Sequence, residues 1–284
     1  MAVYKRSEGM KQRIITAIVM IAALIPIFYF KIEFDNNNPL YILALILVVV
    51  ATTEMISMKE TERKMPFIIR LVMYLTILWL SFSEVLWINW EISTKVDLLP
   101  FIIILLGLNM VLERHFKVSD ASFVLFIIYY LGLGFAGLIN LFILDLNELF
   151  YIIIIAVMTD TFAYFTGYFF GKHKLAPVIS PKKTIEGSLG GTIMGVIAAT
   201  LFAYLVMGKE ELWVIILVSL LLSILSQFGD LIASLFKRHY KIKDYGNLFP
   251  GHGGVLDRID SILFTALCYS YLLEVLPALF NYSF

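Results

Sequence analysis

The chain has 284 residues, of which 60% are hydrophobic and only 15% are charged. A water-soluble protein of this length has too little interior to bury so much apolar surface, so the composition predicts an integral membrane protein. The formal net charge is zero, and the absence of a long basic or acidic tail argues against a nucleic-acid partner. The single cysteine, Cys268, excludes an intramolecular disulfide and a cysteine-based metal cluster.

Apolar runs close to 20 residues long recur along the whole chain. Each is about long enough to cross a hydrocarbon core roughly 30 Å thick as an α-helix. They predict an all-α integral membrane protein with about nine transmembrane helices in one continuous membrane domain. The predicted spans are 14–30, 39–58, 66–83, 97–112, 121–144, 149–171, 188–207, 212–236 and 259–280.

The basic residues alternate between successive loops. Lys and Arg are concentrated in the N-terminal tail and in the loops at 59–64, 114–117, 172–183 and 237–258, whereas the intervening loops contain few. Positively charged short loops remain in the cytoplasm during membrane insertion. The pattern therefore predicts a cytoplasmic N-terminus and a C-terminus on the outside.

Acidic residues occur within or at the edges of several predicted spans. Asp160 lies near the middle of the sixth span, and Asp230 lies about two turns from the cytoplasmic end of the eighth. Asp257 and Asp260 share one side of the start of the ninth span. Carboxylates are costly inside a membrane, and two of them beside a basic loop would suit Mg²⁺. The alternative to a metal site is that these aspartates form ion pairs that fix helix packing, above all in the case of Asp160. The sequence does not identify a partner for Glu54 in the second span.

The loop before the seventh span combines turn-forming residues with groups that can bind phosphate, although a solvated cytoplasmic loop is equally compatible with it. Glycines that recur every four residues just after this loop indicate close helix packing rather than ligand binding. The residues that can donate hydrogen bonds to phosphate are Ser180, Lys182, Lys183 and Thr184. The glycines are Gly187, Gly191 and Gly195.

Residues 234–260 hold most of the distinctive polar side chains of the chain in one segment. This segment resembles the phosphatidate cytidylyltransferase signature, in which a serine precedes Lys-Arg, Lys-Asp, His-Gly-Gly and Asp-Arg-x-Asp. Every fixed position is matched, by Ser234, Lys237, Arg238, Lys243, Asp244, Gly246, Pro250, His252, Gly253, Gly254, Asp257, Arg258 and Asp260. The resemblance extends back to Asp160, whereas the first five spans resemble the family only in being hydrophobic and numerous. We therefore divide the chain into N-terminal transmembrane helices, 1–148, and a C-terminal catalytic region, 149–284.

The resemblance implies that CTP and phosphatidic acid are converted to CDP-diacylglycerol and pyrophosphate at a divalent metal. The implied metal is Mg²⁺, with a second cation left open, and its implied ligands are Asp230, Asp257 and Asp260. The implied catalytic residues are these three aspartates with Lys237 and Arg238. The implied substrate-binding residues are Asp160, Ser180, Lys182, Lys183, Thr184, Glu186, Lys243, Asp244, His252, Gly253, Gly254 and Arg258.

We expect an enzyme of the bacterial inner membrane whose active site faces the cytoplasm, and a homodimer stays open. Two other functions are compatible with parts of the sequence. Acids within spans, such as Asp160 and Asp230, also occur in cation- or proton-coupled transporters, but no repeat of paired halves is visible. A CTP-dependent polyprenol kinase would use similar substrates and would release CDP instead of pyrophosphate. The complete signature favours the cytidylyltransferase.

Overall fold

The computed structural model describes residues 2–90, 98–113 and 115–280. Residue 97, at the start of the predicted fourth span, and Arg114, in a predicted cytoplasmic loop, lie outside the described residues. Within them the chain forms nine helices and one short hairpin. In chain order these are α1 (Ala2–Phe34), α2 (Asn38–Glu60), α3 (Phe67–Trp90), α4 (Leu99–Leu112), α5 (Val118–Leu144), α6 (Leu146–Phe170), β1 (Lys174–Ala176), β2 (Ser180–Thr184), α7 (Ile185–Leu205), α8 (Leu212–His239) and α9 (Leu256–Phe280).

The helices lie where the apolar runs predict them. Among the described residues, six helices, namely α2, α3 and α5 to α8, contain segments long and apolar enough to cross a membrane. Helix α4 is apolar but has only 14 residues, which rise about 21 Å and fall short of the roughly 30 Å hydrocarbon core. The fold thus confirms an all-α integral membrane protein. The number of nine spans and the side on which each terminus lies remain predictions.

A two-stranded antiparallel sheet between α6 and α7 is absent from the sequence-based prediction. It pairs Lys174 with Thr184 and Ala176 with Ser180. Thr184 ends the second strand and caps the next helix, because its hydroxyl accepts a hydrogen bond from the Gly187 N–H at 3.1 Å. The predicted phosphate-binding loop is therefore a hairpin fixed directly to the start of α7.

The chain divides into two compact units that interleave in sequence. The first unit consists of Met1–Leu133 and Tyr240–Arg258, and the second unit consists of Gly134–His239 and Ile259–Phe284. Each unit therefore combines two separate stretches of the chain. The division into N-terminal helices, 1–148, and a catalytic region, 149–284, was drawn from the sequence and stays a prediction.

In the first unit, a buried ion pair connects the ends of two helices. Lys59, near the end of α2, lies 2.7 Å from the Asp120 carboxylate in the first turn of α5. The Lys59 ammonium also lies over the rings of Phe123 and Tyr240, at 5.7 Å and 5.5 Å from the ring centres. These contacts hold the start of the α8–α9 loop, residues 240–255, against α2 and α5.

In the second unit, α6 and α7 pack at close range through glycine. Gly187, Gly191 and Gly195 are all buried, as the four-residue spacing predicts. A Cβ atom on Gly191 would lie 2.5 Å from the Thr159 carbonyl oxygen, so a larger residue would force the two helices apart. The packing role predicted for these glycines is confirmed.

Candidate active site

Three aspartates from three helices of the second unit interact electrostatically within its interior. They are Asp160 in α6, Asp230 in α8 and Asp260 in α9. Asp260 is only 8% exposed and lies close enough to both other carboxylates to be repelled by their charges. The Ser261 hydroxyl hydrogen-bonds to Asp160, and the Ser261 N–H donates to Asp260 Oδ1 at 2.8 Å. The sequence predicts functional roles for these aspartates, and the fold brings them together.

Two lysines partly balance this acidic cluster. Lys183, from strand β2, forms an ion pair with Asp230 Oδ2. The Lys237 ammonium lies 3.9 Å from Asp260 Oδ2, and both of these side chains are largely buried. This set brings three carboxylates together with two ammonium groups, and Asp230 and Asp160 repel the charge of Asp260. A cation bound beside the carboxylates would relieve that repulsion.

The hairpin that carries Lys183 is fixed by side-chain hydrogen bonds. The Glu186 carboxylate accepts hydrogen bonds from the Lys172 N–H at 3.0 Å and from His173 Nδ1 at 2.6 Å. The Arg238 guanidinium, at the end of α8, donates to the Ile179 carbonyl oxygen at 3.4 Å. Glu186 and Thr184 thus hold the hairpin in place, and their predicted contacts with substrate remain predictions, as do those of Ser180 and the exposed Lys182.

In the first unit, the α8–α9 loop is organised by the Asp257 carboxylate. Asp257 Oδ2 accepts hydrogen bonds from the Tyr245 N–H at 2.7 Å and the Gly254 N–H at 2.9 Å. Gly253 has a positive φ of 86°, and a Cβ atom there would lie 2.7 Å from Asp257 Oδ2. The glycines that precede Asp257 in the signature therefore let the backbone close around its carboxylate.

The same loop, together with Arg258 of α9, lines an open cavity of about 570 Å³ whose walls are mostly polar. His252 Nδ1 is buried and, among the described residues, has no hydrogen-bond partner, although buried polar atoms usually have one. The turn beneath it is closed by the Phe249 N–H, which donates to the Gly253 carbonyl oxygen at 2.9 Å. The lining residues are Lys243, Asp244, Asn247, Phe249, Pro250, Gly251, His252, Gly253 and Arg258.

The predicted site residues therefore fall into two groups. The second unit contains Asp160, Ser180, Lys182, Lys183, Thr184, Glu186, Asp230, Lys237, Arg238 and Asp260. The first unit contains Lys243, Asp244, His252, Gly253, Gly254, Asp257 and Arg258. In the described part of the chain, no three His, Cys, Asp or Glu side chains are already arranged as a metal-binding set. The set of Asp230, Asp257 and Asp260 inferred from the resemblance accordingly remains a prediction.

Sequence reasoning missed the partner of Glu54. This α2 residue is 7% exposed, and its two carboxylate oxygens accept hydrogen bonds from the Val255 and Leu256 N–H groups at 2.8 Å and 3.0 Å. An acidic residue inside an apolar span was the available signal. Its partners are backbone groups, which no side-chain pattern can reveal.

Residues 11–276 match the Cytidylyltransferase family. The chain is 36% identical over 256 residues to the phosphatidate cytidylyltransferase of Staphylococcus haemolyticus (strain JCSC1435), an alignment that covers 90% of this chain and 95% of that protein. The phosphatidate cytidylyltransferases of Staphylococcus saprophyticus subsp. saprophyticus and Staphylococcus aureus (strain COL) are 35% and 36% identical, with the same coverage of both chains. The similarity thus includes the N-terminal helices as well as the segment that carries the signature.

Proposed function

Because this chain belongs to the cytidylyltransferase family, and within it resembles the phosphatidate cytidylyltransferases, we propose that it transfers the cytidylyl group of CTP to phosphatidic acid. The products are CDP-diacylglycerol and pyrophosphate. The observation that carries the proposal is the largely buried cluster of Asp160, Asp230 and Asp260 with Lys183 and Lys237. It places carboxylates that can bind a cation beside ammonium groups that can bind phosphate, and a reaction between two polyanions needs both.

The reaction forms one phosphorus–oxygen bond and breaks another. A phosphate oxygen of phosphatidic acid attacks the α-phosphorus of CTP, and the bond from that phosphorus to the bridging oxygen of the β-phosphate breaks as pyrophosphate leaves. A phosphate monoester has a second pKa of about 6, so the attacking group is largely dianionic near neutral pH. The chain therefore has to supply positioning and charge stabilisation, and a strong general base is not required.

Mg²⁺ fits the acidic cluster by the chemistry of its donors. In phosphoryl-transfer sites this ion is commonly held by one or two carboxylates together with substrate phosphates, so a complete cage of protein ligands is not needed. Asp230 and Asp260 would provide the carboxylates, and a cation between them would relieve the repulsion of their charges. Asp257, three residues before Asp260, is the third proposed metal ligand. Its assignment rests on the resemblance to the family. When bound, the ion would neutralise charge on the polyphosphate.

The basic residues would hold the phosphates of the two substrates. Lys183 and Lys237 each lie beside a carboxylate of the cluster. Because an ammonium group has three N–H donors, each lysine can keep that contact and also bind a phosphate. Lys182 and Arg238 would extend this positive surface along the hairpin and the end of α8. Four donors from two elements, strand β2 and helix α8, would orient the lipid phosphate and the triphosphate during transfer.

The cavity in the α8–α9 loop would receive the nucleotide. Its volume of about 570 Å³ falls within the usual range for small-molecule sites. Lys243 and Arg258 would contact phosphate oxygens, and the unpartnered His252 Nδ1 would hydrogen-bond to the ribose or the base. Asp244 and Gly253 would shape the wall of this pocket. Gly254 does not line the cavity, and its predicted part in the nucleotide site rests on the resemblance.

The basic loops support a cytoplasmic active site in a bacterial inner membrane, where CTP is available and the lipid substrate can enter from the bilayer. Purified protein in nanodiscs, supplied with labelled CTP, phosphatidic acid and Mg²⁺, tests the proposal. We expect CDP-lipid and pyrophosphate in equal amounts. Formation of CDP with a phosphorylated lipid would identify a kinase instead, and ion-coupled flux in liposomes without CTP turnover would identify a transporter.

A further inference from the structure

Glu54 is a buried carboxylate of the first unit that contacts the signature segment directly. It lies in α2, about one and a half turns before the end of that helix, and is 7% exposed. A carboxylate at such a position is retained only where it finds specific partners. Those partners come from a segment that is about 200 residues away in sequence.

Both oxygens of Glu54 accept backbone hydrogen bonds at the start of α9. Oε1 accepts from the Val255 N–H at 2.8 Å, and Oε2 accepts from the Leu256 N–H at 3.0 Å. The first N–H groups of a helix have no partner inside the helix, and the helix N-terminus favours a negative charge. Glu54 thus caps α9 from another helix and fixes the peptide groups that immediately precede Asp257.

Two glycines of the signature are required by this contact. A Cβ atom on Gly246 would lie 2.6 Å from Glu54 Oε1, and a Cβ atom on Gly254 would overlap the same carboxylate. Each glycine therefore leaves the space into which the Glu54 side chain fits. Two of the fixed positions of the signature are thus explained by a residue that lies far outside it.

Gly254 also connects Glu54 to Asp257. Its N–H donates to Asp257 Oδ2 at 2.9 Å, while Glu54 binds the next two N–H groups, those of Val255 and Leu256. Glu54 and Asp257 are close enough for their charges to interact. The short backbone segment 254–256 is thus held between two carboxylates, and movement of one would displace the other.

We infer that Glu54 is a positioning residue that aims the Asp257 carboxylate by holding residues 254–256. The catalytic part of this inference rests on the proposed function. The structural part, that Glu54 protects the Val255 and Leu256 N–H groups, does not.

Glu54→Gln tests the inference with little change of shape. The amide keeps one acceptor oxygen and turns an NH₂ group toward the second N–H, so one backbone donor loses its partner. Thr52→Val is the matched control, since Thr52 is also buried in α2 and its hydroxyl, within the described residues, bonds to the Val48 carbonyl oxygen of the same helix.

Hydrogen exchange measured by mass spectrometry in nanodiscs reports on the contact without reference to activity. In Glu54→Gln, we expect amides of residues 245–257 to exchange about 10-fold faster or more, with no change in residues 185–205. Thr52→Val should leave both segments unchanged. Equal exchange in wild-type and Glu54→Gln protein would overturn the inference, even if the protein had no cytidylyltransferase activity.

Kinetics separate positioning from a merely structural cap. We expect kcat of monodisperse Glu54→Gln protein to fall about 10- to 100-fold, with a smaller change in KM for either substrate. Gly254→Ala should lower kcat similarly, and the Glu54→Ala/Gly254→Ala double variant should be no worse than Glu54→Ala alone, because the overlap then disappears. Faster exchange with an unchanged kcat would refute the positioning role. Lack of turnover in the wild type would refute the proposed function instead.

Discussion

Lys183 in strand β2 forms an ion pair with Asp230 in α8, which connects the hairpin before α7 to the acidic cluster of the second unit. Both side chains are about three-quarters buried. Removing either partner would leave the other charge incompletely compensated in a poorly hydrated environment. The pair thus explains how a loop that could have been an ordinary solvated cytoplasmic turn becomes part of the candidate site.

Lys183→Ala should lower kcat about 100-fold or more, because it removes a positive charge from the place where polyphosphate charge must be stabilised. The control is Lys174→Ala, in the first strand of the same hairpin, where the side chain is exposed. Steady-state assays of pyrophosphate release, normalised to monodisperse protein, measure both. Equal activity of the two variants would show that Lys183 has only a structural role.

Asp260→Asn should raise the Mg²⁺ concentration needed for half-maximal rate about 10-fold or more, because it removes a carboxylate proposed to hold the ion. Asp35→Asn is a suitable control, since Asp35 is exposed and pairs with Lys31 in the same turn of chain. Treatment with EDTA should abolish turnover in the wild type, and added Mg²⁺ should restore it. Full activity in EDTA would contradict a metal-dependent reaction.

His252→Ala should raise KM for CTP several-fold and leave KM for phosphatidic acid nearly unchanged, because His252 lines the cavity assigned to the nucleotide and its Nδ1 has no partner among the described residues. The exposed His115, which is outside the candidate site, provides the control as His115→Ala. Initial rates with one substrate varied at a time measure both constants. A larger effect on KM for the lipid would reverse the assignment of the cavity.

Gly191→Ala should destabilise the protein by about 1–3 kcal/mol, since the added methyl would meet the Thr159 carbonyl oxygen and separate α6 from α7. Gly107→Ala, in α4, should have no cost and can stabilise by up to about 1 kcal/mol, because nothing lies within 4 Å of the added Cβ. Thermal unfolding in the same detergent compares the two. A Gly191→Ala protein as stable as the wild type would show that this helix contact is not tight.

The hairpin shows where local pattern stops being sufficient. Pro181 and the neighbouring basic residues indicate a loop, but the pairing of Lys174 with Thr184 depends on how the end of α6 meets the start of α7. For the glycines after the hairpin, local pattern is sufficient. Their four-residue spacing predicts close packing, and Gly191 makes that contact with Thr159.

Local sequence pattern was sufficient to predict the membrane-embedded helices, the glycine packing face and the residues of the candidate site, because apolar length, helical spacing and a complete signature are properties of short segments. Which charges lie close together depends on the tertiary structure. Asp160, Asp230 and Asp260 come from three helices, and their shared environment depends on the rotation and depth of each helix. From the sequence, Glu54 was recognisable only as an acidic residue within an apolar span, where a charge is costly. Its partners are the backbone N–H groups of Val255 and Leu256, and packing alone brings such distant groups into contact.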